Sequence, residues 1–570
     1  MSATRAGGQV RRAAEWVAGL RLADVPADVL ELARAQRVNM LAAMYAGTRT
    51  AVAARARAAV DRMDAGGIVV TPGDGRRRSL AGAAYLATVY GTALELDDFV
   101  FAGHTGQAAV TVPLTLGQLT GADGAEALLA QIAANEVAGR LGAIMTAGPQ
   151  HGHMKAYLNR AAAVCAAARL LHLDVEATVR ALALALSAPE YTLFPASFSP
   201  DTKALCTGDP VVAGIRAAYL GGEDLDFAED IVEHPVGLVT SLSNHDDAPP
   251  IWDRLGETWS IQAICYKPVC ACAYACAAAV AAAELRAAEG TAWDPERIDR
   301  IVVDTTVLTL TMEGFSRPHR PGAITPINTN FSTRRTVGLA LLVGEPAGEH
   351  FTPARFEALR AGIGRLAERV QMRHHWPYSI HLLRGVDAAI DHPGRPGIYG
   401  MVEAHRTLDR FKTAFGTPAA VGWRDLPALF RLPARDCGYL ARRYAVGLRS
   451  RLPFRGGERA RRAYVARETD LRHMSLRFAA AVRIVLADGR QLTHEVLTPP
   501  GFAGDPDRLA IPGVKFDREV AGATSPEHAA ALRSLLEREA PATPAEIARL
   551  CAAEAEEPAG TAAMAGPPAR

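Results

Sequence analysis

The sequence predicts a mainly α-helical protein: an all-α helical domain plus an inserted α+β lid domain. Three observations carry this. From residue 10 to about residue 220, apolar side chains recur every three or four positions, in segments opened by Asp or Asn and separated by Gly-bearing joints. Aromatic residues are 6% of a chain that is 49% hydrophobic, so Ala, Leu and Val must fill the core, which suits closely spaced helices. Runs with β-branched enrichment appear at 298–304 and 480–496, the second broken by an Asp488-Gly489 turn.

In chain order, the periodicity predicts helices over 28–45, 123–141, 159–171 and 175–187, with joints at 64–67 and 121–124. An Ala-rich helix runs to about residue 288, followed by a strand over 298–304. A long helical stretch, about 353–476, is rich in Arg and punctuated by prolines. A hairpin follows over 480–486 and 492–496, then helices over 526–537 and 544–554. The domain organisation expected from this is 1–264 all-helical, 265–502 α+β lid with an Arg-rich helical insertion near 365–476, 503–556 helices returning to the first domain, and 557–570 a disordered Ala/Gly/Pro-rich tail.

Charge narrows the functional classes. Lys and Arg number 62 against 61 Asp and Glu, a balance that argues against a protein built to grip nucleic acid or an anionic membrane. The most apolar run, 269–283, is shorter than the roughly 20 residues that span a bilayer. The first 20 residues lack the apolar core of a secretory signal, and eight cysteines in 570 residues do not make a disulfide scaffold, so a cytoplasmic location is expected. Among the 62 cations five are lysines: Lys155, Lys203, Lys267, Lys412 and Lys515. In so arginine-rich a chain, these are candidates for tasks that a guanidinium cannot perform, because an ammonium is compact and shifts its pKa on burial.

Six segments in order resemble one family. Leu94-Glu95-Leu96-Asp97-Asp98 followed by His104 resembles the acidic motif of the MmgE/PrpD family, which includes 2-methylcitrate dehydratases, cis-aconitate decarboxylases and iminodisuccinate epimerases. Residues 135–142, His153 with the Ala-rich helix after it, Asp201-Thr202-Lys203 with 208–218, Pro268-Val269-Cys270, and Asp488-Gly489-Arg490 with Lys515-Phe516 resemble further family segments. The resemblance implies a helical domain, an α+β lid, a homodimer, and chemistry without a cofactor at the cleft between domains. It also implies reactions that begin by removing a proton or carbon dioxide next to a carboxylate.

Such chemistry needs a base, an acid and positive charge for the developing enolate. Histidine is a natural base, with an unperturbed pKa of about 6.5. His104 stands on a turn marked by Gly103 and Gly106, with Asp97 or Asp98 placed to orient it; read alone, it is a helix-end histidine beside solvated acids. By the family pattern His153 is the active-site histidine and His151 a bystander, while Lys155 stands close enough to lower a histidine pKa by like charge. Lys203, on a polar loop before a helix, can meet a substrate carboxylate or enolate. The candidates are therefore His104, His153, Lys203, Asp97 and Asp98 as catalytic, and Glu95, Lys155, Lys267, Tyr274 and Thr202 as substrate-binding.

Departures from the family pattern redirect the expected substrate. Cys265 stands where the family has a lysine, with Lys267 two positions on; Tyr274 replaces a histidine and Ala278 an aspartate. With charge lost on the lid side, the expectation is a substrate less anionic, larger or more apolar than methylcitrate, citrate or aconitate. The leading expectation is β-elimination of water or an acyloxy group next to a carbonyl or carboxylate, in a specialised, for example polyketide, pathway. The alternatives are a dehydratase or decarboxylase of a small polycarboxylate, and a catalytically silent scaffold. No metal is expected, because the spacing of Cys265, Cys270, Cys272 and Cys276 matches no common metal site and His151/His153 lack matched carboxylates. The Arg-rich stretch, including Arg442, Arg443, Arg449, Arg451, Arg455, Arg459, Arg461 and Arg462, reads as a solvated helix face or, more sharply, as a docking surface for an acyl carrier protein.

Overall fold

The computed structural model describes residues 8–101, 103–145, 152–153, 155–198, 200–242, 251–252, 254–290, 293–316, 322–387, 426–429, 431–449 and 470–556. Of the sequence expectations, the tail at 557–570, Lys412, His151 and most of the Arg-rich stretch lie outside these residues, as do the side chains of His153, Arg442, Arg443 and Arg449.

Helices dominate the first half. The expected helices are found at Ala27–Thr48, Gly124–Met145, Lys155–Leu170 and Val175–Ser187. Two of them start as the caps dictate. Asp174 accepts from the Ala177 amide, and Asp123 and Glu126 each accept from the other's backbone N–H. Lys155–Leu170 is the axial helix. Residues 161–167 are fully buried, and Ala at most of those positions lets Gly124–Met145 and Gly208–Gly221 pack close on either side.

The strand signals of the second half form one four-stranded sheet. Ile298–Thr305 lies between Ala480–Leu486, antiparallel to it, and Val370–His374, parallel to it; Gln491–Val496 closes the far edge as a hairpin with Ala480–Leu486. The helix Ala273–Glu289 covers this sheet, burying Ala277, Ala278 and Ala281 against Ile301, Val303 and Val482. Val370–His374 is a strand inside the stretch over 353–476 that the sequence reads as helical and punctuated by prolines. Val370 is buried while Gln371 and Arg373 are exposed, an alternation of period two that a five-residue segment carries too briefly to stand out among the helices around it.

The chain then returns. The helix Ala510–Ala521 packs on Ala27–Thr48, and Pro544–Glu556 packs on Thr111–Thr120, so C-terminal residues complete the core of the first half. The two halves are also stitched by Asp98–Phe99, which pairs antiparallel with Cys265–Tyr266.

The loop after the hairpin holds that stitch in place. Gly501 has φ +82, its carbonyl accepts from the Tyr266 amide at 2.8 Å, and a Cβ there would collide with the Tyr266 carbonyl oxygen. Gly501→Ala is expected to cost about 1–3 kcal/mol beyond Gly489→Ala, which meets the same φ penalty at +86 but open space. Chemical denaturation of both variants checks this, and equal losses would contradict it.

Candidate active site

The acidic turn is built by alternation. It spans residues 94–98 between the helix Leu80–Thr92 and the strand Asp98–Phe99. Leu94 and Leu96 are buried in an apolar cluster with Ala43, Cys270, Leu339 and Phe351. Glu95 and Asp97 therefore present their carboxylates together on the other side. Glu95 has φ 54, the left-handed region that a glutamate rarely occupies. Such a residue costs of order 1–3 kcal/mol and persists where its surroundings over-determine it.

Those surroundings are three lysines. Lys155, the first residue of its helix, donates to Glu95 Oε1 at 3.3 Å, and Lys203 of the short helix Thr202–Leu205 donates to the same oxygen. Lys267, just beyond Cys265–Tyr266, donates to Glu95 Oε2 at 2.9 Å and to Asp97 Oδ1 at 2.7 Å. All five groups are buried. The Lys203 ammonium also lies 5.1 Å from the centroid of the Phe331 ring.

His104 completes the cluster, its Nδ1 2.8 Å from Asp97 Oδ2, an oxygen that also accepts from Gln107 Nε2. Burial opposes ionisation of Asp97, but the imidazole and the Lys267 and Lys155 ammoniums hold it well below the usual carboxylate range. With Asp97 ionised, Nδ1 carries the proton of the neutral ring, which places the lone pair on Nε2. Burial, together with Lys155 and Lys267, pushes His104 down to about 3 despite the opposing pull of Asp97. Glu95 is held well below its ordinary value, since the three ammoniums outweigh the burial that opposes its ionisation. Burial also works against charge on the lysines. It wins at Lys155, pushed down to about 8, whereas the carboxylates outweigh it at Lys203 and Lys267, which are raised.

Asp98 faces away from the histidine. Its Oδ1 accepts from Gln36 Nε2 and the Gly106 amide, both at 3.1 Å, while Oδ2 has no hydrogen-bond partner. Burial and the neighbouring Asp97 push it up to about 7. Of the two acids expected to orient His104, Asp97 is thus the one in contact. Thr105 donates to Asn135 Oδ1 at 2.6 Å, and Asn135 is bonded in turn to Gln36.

Thr202 and Tyr274 make their hydrogen bonds to backbone carbonyls, and the side chain of His153 lies outside the described residues. Thr202 is exposed and its hydroxyl donates to the Ala196 carbonyl at 3.2 Å. Tyr274 is buried and donates to the Phe331 carbonyl at 2.8 Å, bracing the ring that faces Lys203. His153 pairs through its backbone with Thr192. Cys265 accepts from the Ala503 amide at 3.2 Å, so it is Lys267 that brings a cation to the acids from this segment. Lys267 is among the residues that the sequence offers as substrate-binding, two positions beyond Cys265. In an extended segment, side chains two residues apart return to the same side.

Two participants were not anticipated. Gln107 has no sequence signal. Lys515 does, being one of the five lysines, and it donates to the Leu96 carbonyl and to Asn39 Oδ1, both at 2.5 Å.

Glu95, Asp97 and His104 offer ligand atoms within 4.8 Å of one another, the spacing of a metal site. The donor set does not fit a cation, because the carboxylate oxygens already accept from three ammoniums, and a divalent ion would add to an excess of positive charge. The cysteines fit no better. Cys265 accepts from the Ala503 amide and Cys276 donates to the Ala271 and Cys272 carbonyls, so both sulfurs are engaged by the backbone.

A mainly helical body thus buries a histidine, two carboxylates and three lysines in one contact network. Residues 11–251 match the sequence model of the MmgE/PrpD N-terminal domain, a match that supports membership of the MmgE/PrpD family, which is associated with dehydratase and lyase-type activity. No curated protein matches the chain. No helix among the described residues is long and apolar enough to cross a membrane.

The raised Asp98 gives a pH signature. Its unfolded form ionises near 3.9, so between about pH 4 and about pH 7 the folded state holds a proton that the unfolded state has lost, and this group's contribution to stability falls as pH rises. Asp98→Asn is therefore expected to gain stability on the wild type by about 1 kcal/mol per pH unit across that window. Glu95 and Asp97, both depressed, act oppositely, and their contribution is lost as pH falls below about 4. Urea denaturation of both proteins at several pH values reads the difference, and a constant offset would refute it.

Proposed function

We propose that the protein is a lyase that eliminates water or an acyloxy group β to a carboxylate or carbonyl, using its own side chains without a cofactor. The observation that carries this reading is His104, fixed by Asp97 in the tautomer with its lone pair on Nε2, beside three ammoniums gathered on Glu95.

In the reaction His104 Nε2 accepts the proton from the carbon next to the carboxylate. The electron pair moves onto the carboxylate or carbonyl oxygen, where Lys203 and Lys267 stabilise the enolate. Collapse of the enolate expels the leaving group from the β carbon, and the imidazolium returns the proton to it when it leaves as hydroxide. A histidine at about 3 is a weak base at neutral pH. An incoming carboxylate adds negative charge beside Lys155 and Lys267, the cations that depress His104, and so raises its pKa towards the working range. Substrate binding thus activates the base. Lys155, pushed down to about 8, is placed to relay a proton as well.

A second reading keeps the same chemistry on a small polycarboxylate, dehydrated or decarboxylated. It is favoured by Lys267, whose reach to Glu95 and Asp97 gives the site a third ammonium.

Proton NMR in D₂O with 3-hydroxy acids, 3-acyloxy acids and citrate, 2-methylcitrate and cis-aconitate tests both. The expected result is elimination with α-deuterium exchange from a 3-hydroxy or 3-acyloxy acid. His104→Asn should slow it about 10²–10⁴-fold, and Lys203→Ala or Lys267→Met about 10²–10³-fold. Lys203→Arg should not restore the rate, since a planar fork cannot replace a point charge. Turnover of the polycarboxylates would move the assignment to the second reading. Undiminished rates in His104→Asn would end the mechanism.

A further inference from the structure

We infer that Lys515 is a positioning residue that clamps the acidic turn from behind and so sets the contact between Asp97 and His104. The inference rests on reading His104 as the proton-transfer group.

Lys515 lies on Ala510–Ala521, more than 400 residues beyond the turn in sequence, and it is fully buried. Its ammonium donates at 2.5 Å to the carbonyl of Leu96, the residue between the two carboxylates, and at 2.5 Å to Asn39 Oδ1 on the helix Ala27–Thr48. One cation thus ties the peptide between Glu95 and Asp97 to two helices of the core. The neighbouring Phe516 is anchored in that core, so the clamp has a rigid base.

An uncharged donor would serve if the bond were needed for stability alone. Burying an ammonium that makes no ion pair among the described residues is expensive. The charged groups facing Lys515 are Asp97 and Asp98 from the turn, Lys267 from the neighbouring segment and Arg518 from its own helix, with the Cys270 and Cys276 thiols nearby. Burial, with Arg518 and Lys267, pushes Lys515 down to about 7 against the pull of Asp97 and Asp98, so the charge is present below that pH, where it favours the ionised Asp97 that holds the His104 tautomer. The clamp also supplies part of the over-determination that Glu95 needs in its left-handed conformation.

The test reads His104 in the full-length protein with no substrate present, so its outcome is independent of the elimination assay. With ¹⁵N-histidine labelling, and the signal assigned through His104→Asn, the wild type should show a low-field Nδ1 proton and a ring that stays neutral from about pH 5 to about pH 8. In Lys515→Met the low-field proton should be lost, because the Asp97–His104 contact that holds it is no longer set, and the ring should stay neutral over the same range, since Asp97 is the group that pulls its pKa up, with helical circular dichroism retained. Lys515→Arg should behave like Lys515→Met, because a guanidinium keeps the charge but cannot make both short contacts. If Lys515→Met does not fold, Asn39→Leu, which leaves the ammonium on Leu96 alone, should weaken the low-field proton signal to a smaller extent. An unchanged His104 signal in Lys515→Met, or in Asn39→Leu where that variant is needed, would overturn the clamp. So would full restoration by Lys515→Arg.

Discussion

The protein's inner architecture turns on one carboxylate. Glu95 accepts from Lys155, Lys203 and Lys267, which reach it from the start of a long helix, from a one-turn helix and from the segment that stitches the two halves. Each ammonium alone would be too costly to bury, and the three together would repel one another. Sharing Glu95 and Asp97 makes the set tolerable. The arrangement fixes the axial helix, the Lys203 loop and the strand pairing relative to the acidic turn. Removing the central charge would therefore loosen several elements at once, since it would leave buried cations without compensation.

That economy shapes the chemistry proposed for the site. At rest the ammoniums are satisfied by the protein's own carboxylates, and the histidine is kept neutral by burial and by the cations near it. A substrate carboxylate offers the lysines what Glu95 already offers them. Binding is then an exchange of like for like in which little desolvation cost is added, and the new negative charge falls where it strengthens the base. A neutral ligand would gain neither effect.

Much of this was legible in the sequence. Helical periodicity and Asp caps located the principal helices, and the Asp488-Gly489 turn between β-branched runs located the hairpin. The scarcity of lysine proved the most informative signal. Lys155, Lys203, Lys267 and Lys515 all converge on the acidic turn, whereas no arginine donates to either of its two clustered carboxylates among the described contacts. What escaped was set by tertiary context. Val370–His374 is a strand because Ile298–Thr305 offers it an edge, and its own pattern is too short to say so. Gln107 reaches Asp97 through the turn of a short helix, a geometry that no spacing rule encodes. Thr202 and Tyr274 stand near the right residues in sequence, but their hydroxyls are spent on backbone carbonyls.

The position of Lys267 has an evolutionary consequence. Along an extended segment a charge can migrate by two residues and still face the same partners, provided the vacated position takes a side chain that the core accepts. Cys265 is such a side chain: it is buried and accepts from a backbone amide. A lineage can pass between the two arrangements through a form that carries both lysines or neither, without altering the backbone. Column-by-column comparison then records a lost cation where the fold has kept one and moved its address. In strands, a missing charged residue is best sought first at the positions two removed.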